Sequence, residues 1–174
     1  YLAHLELSSG GIIGGTIPGI PTVIAGRSPY IGWGISASYA DDQDLYAEEI
    51  NQNDDEKYKS LDGWKIFRSE ETVIKIKGDN SKKIKLKWSE NGPVLDKVTS
   101  QISDITPPNH EMAISWTMLT PQDTSMTALI NLTYSKDIKT ALNALEGHVA
   151  PSLNYTLIDE ENIALQLAGK LPKR

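Results

Sequence analysis

Cysteine is absent from the 174 residues. That absence excludes thiol nucleophiles, disulfides and thiolate metal sites, and it fits an oxidising compartment and the cytoplasm equally. Basic charge is in deficit, with 17 Lys and Arg against 23 Asp and Glu and a net charge of -6. A surface of that sign displaces few counterions from phosphates, so no nucleic-acid partner is expected, and anionic membranes are disfavoured too. No apolar run approaches the roughly 18 residues that a bilayer-spanning helix needs, so no membrane span is expected. Residues 1–7 are too short and too polar for a signal peptide and include no initiator Met, from which we expect a natural start further upstream. No HExxH is present, and His4, His110 and His148 share no metal-ligand spacing. Each is expected to be a surface or structural residue.

What remains is an ordinary folding composition, with 39% hydrophobic and 23% charged residues, enough for one domain with a core rather than a disordered chain. Gly and Pro crowd the first third, from Gly10 to Gly34, and disfavour long helices there. Short apolar runs between them, at residues 22–25 and 30–31, predict buried strands. Thr72-Val73-Ile74-Lys75-Ile76-Lys77 and Ile84-Lys85-Leu86-Lys87-Trp88 alternate apolar and basic residues around the turn-forming Gly78-Asp79-Asn80-Ser81. This pattern predicts a β-hairpin with Ile74, Ile76, Ile84, Leu86 and Trp88 toward the core and the lysines in solvent. Residues 112–117 predict another strand. A helix is predicted over 136–146, with Ser135 as N-cap, Asp137 in the first turn and Gly147 at C′. Residues 124–132 are ambiguous between helix and strand. Residues 154–158 and 163–168 predict a closing strand pair around a turn at 159–162. The fold class is α+β and β-rich, mostly antiparallel sheet with one or two helices, as a single segment over 1–174.

Candidate chemistry is sparse. Gly10-Gly11-Ile12-Ile13-Gly14-Gly15 lacks the Lys-Ser/Thr ending and the following helix of a phosphate loop. Gly34-Ile35-Ser36-Ala37-Ser38 resembles a nucleophile elbow but ends in Ser and lacks the strand–turn–helix context. Asp41-Asp42-Gln43-Asp44 offers hard oxygen donors of the kind calcium takes; its alternative is an acidic loop capping a helix at 45–50. Composition and spacing lead as far as a soluble β-rich domain.

The motifs lead further when read in order. From Thr16 to Tyr46 the chain carries Pro18-Gly19-Ile20-Pro21, Gly26-Arg27-Ser28, Ile31-Gly32-Trp33-Gly34 and Asp41-Asp42-Gln43-Asp44. There follow Asn91-Gly92-Pro93-Val94, Ile114-Ser115-Trp116-Thr117, Ala150-Pro151-Ser152-Leu153-Asn154-Tyr155 and the closing Gly169-Lys170-Leu171-Pro172-Lys173-Arg174. In order and spacing this series resembles the penicillin acylase family of N-terminal-nucleophile amidohydrolases, with Asn91 standing where the family usually has His. The resemblance covers nearly the whole chain.

The resemblance implies a four-layer αββα sandwich of α- and β-chains, of which this would be an internal β-chain segment lacking the nucleophile strand. It implies hydrolysis of the amide bond of an N-acylated small molecule, of penicillin or acyl-homoserine-lactone type. The nucleophile would be an N-terminal serine activated by its own amine, expected to lie before Tyr1, so that this segment alone is expected to be inactive. By motif, the oxyanion donors fall on the N–H of Ala37 and the side-chain amide of Asn154. Arg174 matches an arginine that orders the active site. The acyl-pocket positions fall on Ala25 and Tyr39, and Ala25 in place of an aromatic leaves room for an acyl group other than phenylacetyl. Asp41, Gln43 and Asp44 match a structural calcium site. Implied partners are the α-chain and the remainder of the β-chain, and the implied location is periplasmic or secreted. The alternative is a β-rich binding or scaffolding domain that kept the fold without the chemistry.

Overall fold

The computed structural model describes residues 1–8, 10–97 and 101–173. The chain divides into two compact units, one formed by Tyr1–Asp42 with Thr117–Arg174 and the other by Gln43–Trp116.

The first unit opens with four antiparallel strands: β1 (Leu2–Leu7), β2 (Gly10–Gly15), β3 (Ala25–Arg27) and β4 (Gly32–Ala37). The glycine run is therefore a strand, and packing explains its composition. Gly14 stands opposite Gly26, and a Cβ on either would overlap the other strand's backbone and the Val23 side chain. Val23 is buried over this pair, and its carbonyl accepts from Trp33 Nε1 at 3.3 Å. The strands expected at 22–25 and 30–31 are displaced along the chain. Val23 and Ile31 are buried, but they sit in the bends before β3 and β4, so the apolar runs marked burial and not extended pairing. The Ser28 hydroxyl makes the bend between them by accepting the N–H groups of Tyr30 and Ile31 at 3.1 and 3.2 Å. Gly26→Ala is expected to destabilise the protein by about 1–3 kcal/mol through overpacking. Chemical denaturation would check this, and an unchanged midpoint would show that the strands can separate without loss.

The second unit holds β5 (Gln43–Asn51), β6 (Asp54–Ser60), β7 (Gly63–Ile66), β8 (Arg68–Ile74), β9 (Lys82–Ser89), β10 (Gly92–Pro93) and β11 (His110–Trp116). They form a sheet ordered β11-β5-β6-β7 and another ordered β10-β9-β8. The helix considered at 45–50 is not formed. That stretch is β5, whose Leu45 and Ala47 stand opposite Ile114 and Met112 of β11, so cross-strand pairing overrides the local signal. The predicted strand at 112–117 is β11, with Thr117 opening a 3-10 turn. The predicted hairpin is β8–β9, with Thr72 opposite Ile84 and Ile74 opposite Lys82. Ile74, Ile84, Leu86 and Trp88 share a face as expected, with Lys82 joining them there and Val73 on the other face, but the shared face is not a core. Ile74, Ile76 and Leu86 are 47%, 43% and 40% exposed, and Ile76 lies beyond the end of β8. β10 is two residues long and pairs at Trp88 and Ser89, so most of the hairpin extends past its third strand.

The chain then returns to the first unit through α1 (Ser125–Thr133), α2 (Ile138–Leu145), β12 (Leu153–Ile158) and β13 (Ile163–Ala168). The ambiguous stretch at 124–132 is helical. The predicted helix α2 forms, but its cap is Asp137, not Ser135. Asp137 Oδ1 accepts from the Thr140 N–H at 2.7 Å, and Thr140 Oγ1 accepts in return from the Asp137 N–H at 3.3 Å, a reciprocal capping box. Ser135 Oγ instead donates back to the Asn131 carbonyl of α1. Gly147 follows the helix at C′ without left-handed backbone. The Thr140 backbone N–H, and then its hydroxyl, hold the Asp137 carboxyl below its ordinary pKa. That contribution is complete above the unfolded-state value and is lost as pH falls through the lower folded-state value. The gap in Tm between the natural protein and Asp137→Ala should therefore narrow as pH falls from about 6 to about 3; a gap independent of pH would mean the charge is irrelevant to the cap.

β12 pairs with both β4 and β13, completing a six-stranded antiparallel sheet ordered β1-β2-β3-β4-β12-β13. Trp33, Tyr155 and Leu157 on one face pack with Leu129, Leu132, Ile138, Ala141 and Leu145 of the helices. The opposite face of β12 and β13 stays open, with Ile158, Ile163, Leu165 and Leu167 half or more exposed. The β12–β13 turn is fixed by Asp159, whose Oδ1 accepts the Glu161 and Asn162 N–H groups and whose Oδ2 accepts the Ile138 N–H at the start of α2.

Candidate functional site

Strand pairing brings two of the sequence-predicted residues together. Leu153 stands opposite Ala37 and Asn154 opposite Ser36, at the end of the β4–β12 ladder. Asn154 Nδ2 donates to the Ala37 carbonyl at 3.3 Å. Asn154 and Ser36 share the open face, away from the helices. Asn154 is half-buried, and Ser36 and Ala37 are exposed. A side-chain amide held, among the described residues, by one long hydrogen bond at an accessible strand end can turn its N–H groups to an incoming oxygen. Ser36 lies inside an antiparallel strand, not on a strand-to-helix turn.

Ala25 begins β3, opposite Gly15, and its register puts it on the same open face. Tyr39 follows β4 with left-handed backbone, φ 54, and is 95% exposed. Arg174 lies outside the described residues. Asp41 belongs to the first unit, while Gln43 and Asp44 begin β5 in the second, opposite Trp116 and Ser115. Their oxygen donors suit a hard cation, which takes six to eight oxygens. Among the described residues no group of three or more His, Cys, Asp or Glu gathers where it could hold a metal. Asn91, at the position of the unusual Asn, donates from Nδ2 to Glu48 Oε1 at 3.0 Å.

The sequence reading missed the supports of the segment leading into Asn154. Ser125 is buried, and its Oγ accepts the N–H groups of both Val149 and Ala150 at 2.9 Å while donating to Asp123 Oδ1 at 2.5 Å. His148 is buried as a structural residue, with Nε2 2.8 Å from the Pro151 carbonyl and Nδ1 3.4 Å from the Tyr155 hydroxyl. A carbonyl can only accept, so Nε2 carries a proton and donates to it. Burial pushes the Tyr155 hydroxyl well above the usual tyrosine range, keeping it a neutral donor. Ser38 Oγ donates to the Ser152 carbonyl at 2.8 Å, and the Ser152 N–H donates to Asp42 Oδ2 at 3.4 Å. The one advance signal was position: each of these residues lies within or beside a quoted motif, or at the start of α1.

Comparison with known proteins gives a consistent picture. A family model described as "Penicillin amidase" matches residues 1–174. The acyl-homoserine lactone acylase QuiP of Pseudomonas aeruginosa is 26% identical over 166 residues, covering 92% of this chain and 20% of that protein. QuiP of Pseudomonas putida is 26% identical over 167 residues, covering 94% and 19%. The chain thus spans about a fifth of the length of these curated relatives. The solved structure of a thermostable penicillin G acylase from Alcaligenes faecalis matches with a TM-score of 0.81 at 19% identity, over 97% of this chain and 29% of that one. The expected fold class is borne out: β-rich, antiparallel, with two helices among the described residues, and part of the N-terminal-nucleophile hydrolase sandwich.

Proposed function

Because the chain belongs to the penicillin amidase family, we propose that its full-length protein is an acylase that hydrolyses the amide bond of N-acylated small molecules, of acyl-homoserine-lactone or penicillin type. Water is consumed, and a carboxylic acid and a free amine are released. The observation that carries this reading is the pairing of Asn154 with the end of β4 on an open sheet face. Attack on an amide carbonyl puts negative charge on its oxygen, and neutral donors preorganised at that point stabilise the transition state. Asn154 supplies a side-chain N–H and Ala37 a backbone N–H. The nucleophile is an N-terminal serine elsewhere in the full-length protein, whose amine takes the hydroxyl proton. Arg174 orders the site, and Ala25 and Tyr39 flank the acyl group, with the small Ala25 leaving space for the acyl chain. The apolar open face of β12 and β13 supports burial against the protein's own α-chain and remaining β-chain.

The decisive test is hydrolysis by the purified full-length protein. Incubation with an N-acyl-homoserine lactone and with a phenylacetyl amide should release acid and amine in equal amounts from at least one of them. Release from neither would leave the non-catalytic binding or scaffolding domain as the better reading. Calcium is proposed as a structural ion bound in part by Asp41, Gln43 and Asp44, in a periplasmic or secreted protein. A chelator should then lower the Tm of the full-length protein and added calcium restore it, whereas an unchanged Tm would remove the ion from the proposal.

A further inference from the structure

We propose that Ser38 is the positioning residue of the oxyanion site: its hydroxyl fastens the ends of β4 and β12 so that the Ala37 N–H and the Asn154 amide keep a fixed spacing. This rests on the reading of Ala37 and Asn154 given above. The β4–β12 ladder runs from Gly32 opposite Ile158 to Ala37 opposite Leu153 and ends there. Both donors therefore sit on its last two residue pairs. Such ends open at little free-energy cost, because no further rungs hold them.

Ser38 follows Ala37 directly. Its Oγ donates to the Ser152 carbonyl at 2.8 Å and accepts the Ala40 N–H at 3.2 Å. One hydroxyl thus carries the pairing a step past the last rung, to the residue just before β12, and also sets the course by which the chain leaves β4. The next residue, Tyr39, is already in left-handed backbone.

The Ser152 side of this bond is fixed. Ser152 is 7% exposed, and its N–H is directed at Asp42 Oδ2. Gly169 backs onto it so closely that an added Cβ would lie 2.7 Å from Ser152 Cα. The Val149 and Ala150 N–H groups just before it are held by Ser125 Oγ. Ser38 therefore ties the exposed strand end, which carries Ala37, to a buried and closely packed support that leads into Asn154. Oxyanion donors act only over a narrow range of distance, and a misplacement of about 1 Å costs about 10²-fold in rate. Loosening one strand end should cost less than that, about tenfold.

The test uses the full-length protein with an N-acyl-homoserine lactone and a chromogenic phenylacetyl amide as probes. Ser38→Ala should lower kcat about tenfold with KM within about twofold, and Ser38→Thr, which keeps the hydroxyl, should recover most of the loss. In an Asn154→Ala background the further change of Ser38→Ala should shift kcat less than about twofold, because one of the two aligned donors is gone. Equal losses in the two backgrounds, or Ala and Thr variants with the same kcat, would overturn the inference. Should Ser38→Ala fail to fold, Ser38→Cys keeps the volume with a weak donor; a several-fold loss of kcat is then expected, and natural kcat overturns the role. If Asn154→Ala itself keeps natural kcat, the oxyanion reading has failed and this inference falls with it. An impaired Asn154→Ala beside an unimpaired Ser38→Ala refutes only the role of Ser38.

Discussion

Asn154→Ala in the full-length protein should lower kcat about 10²–10³-fold while leaving KM nearly unchanged, the signature of an interaction made in the transition state and not in substrate binding. The geometry separates this effect from a folding defect. Asn154 is half-buried on the open face, and among the described residues its side chain makes one hydrogen bond, at 3.3 Å, to the Ala37 carbonyl. That carbonyl lies at an exposed strand end, where water can replace the amide. Stability should accordingly move by no more than about 0.5 kcal/mol, the range of surface substitutions. Asn154→Asp is the sharper companion. It is nearly the same shape, but its carboxylate only accepts hydrogen bonds and repels a developing oxyanion, so kcat should fall at least as far as with Ala. Steady-state kinetics on a chromogenic N-acyl amide, with Tm recorded for each variant, would check both. A kcat within about threefold of natural for Asn154→Ala would refute the oxyanion role.

Local chemistry explains which parts of this fold the sequence made legible. The β8–β9 and β12–β13 hairpins were readable because alternation and turn residues are written within a few positions of each other. Helix α2 was readable from its apolar spacing, but its cap shifted from Ser135 to Asp137, because Thr140 could complete a reciprocal pair only with Asp137. The strand β5 was hidden, since its partner β11 lies far along the chain and the acidic run before it mimicked a helix start. The glycine strand β2 was hidden for a related reason: Gly14 and Gly26 are glycines only because they oppose each other across a pair that sequence spacing does not announce. At the site, Asn154, Ala37 and Ala25 were placed by motif resemblance. Strand register then showed that Asn154 meets the end of β4 and that Ala25 shares its face. The supports Ser38 and Ser125 could not be weighed, because the meaning of a serine depends on which distant backbone groups it meets, whereas His148 is structural as expected.

Ser125→Ala should be among the most destabilising single changes in the first unit, at about 2–5 kcal/mol. The Ser125 hydroxyl uses its full capacity, accepting from the Val149 and Ala150 N–H groups and donating to Asp123 Oδ1, at a residue 1% exposed. Alanine removes the single oxygen that satisfies two buried backbone donors, and each donor left unpaired costs about 1–3 kcal/mol. The nearby Thr124 is the control. Its Oγ1 donates to the Gly147 carbonyl at 2.6 Å at an exposed position, so water can take over and Thr124→Ala should cost about 1 kcal/mol or less. Urea denaturation of both variants would check the contrast. Equal, small losses would mean that a water enters in place of the Ser125 oxygen, as it can where a cavity offers several polar partners. The segment that Ser125 holds runs directly into Asn154, so a true loss of these two bonds should also appear as faster amide exchange at Val149 and Ala150 than at Tyr155, which is fully buried within β12.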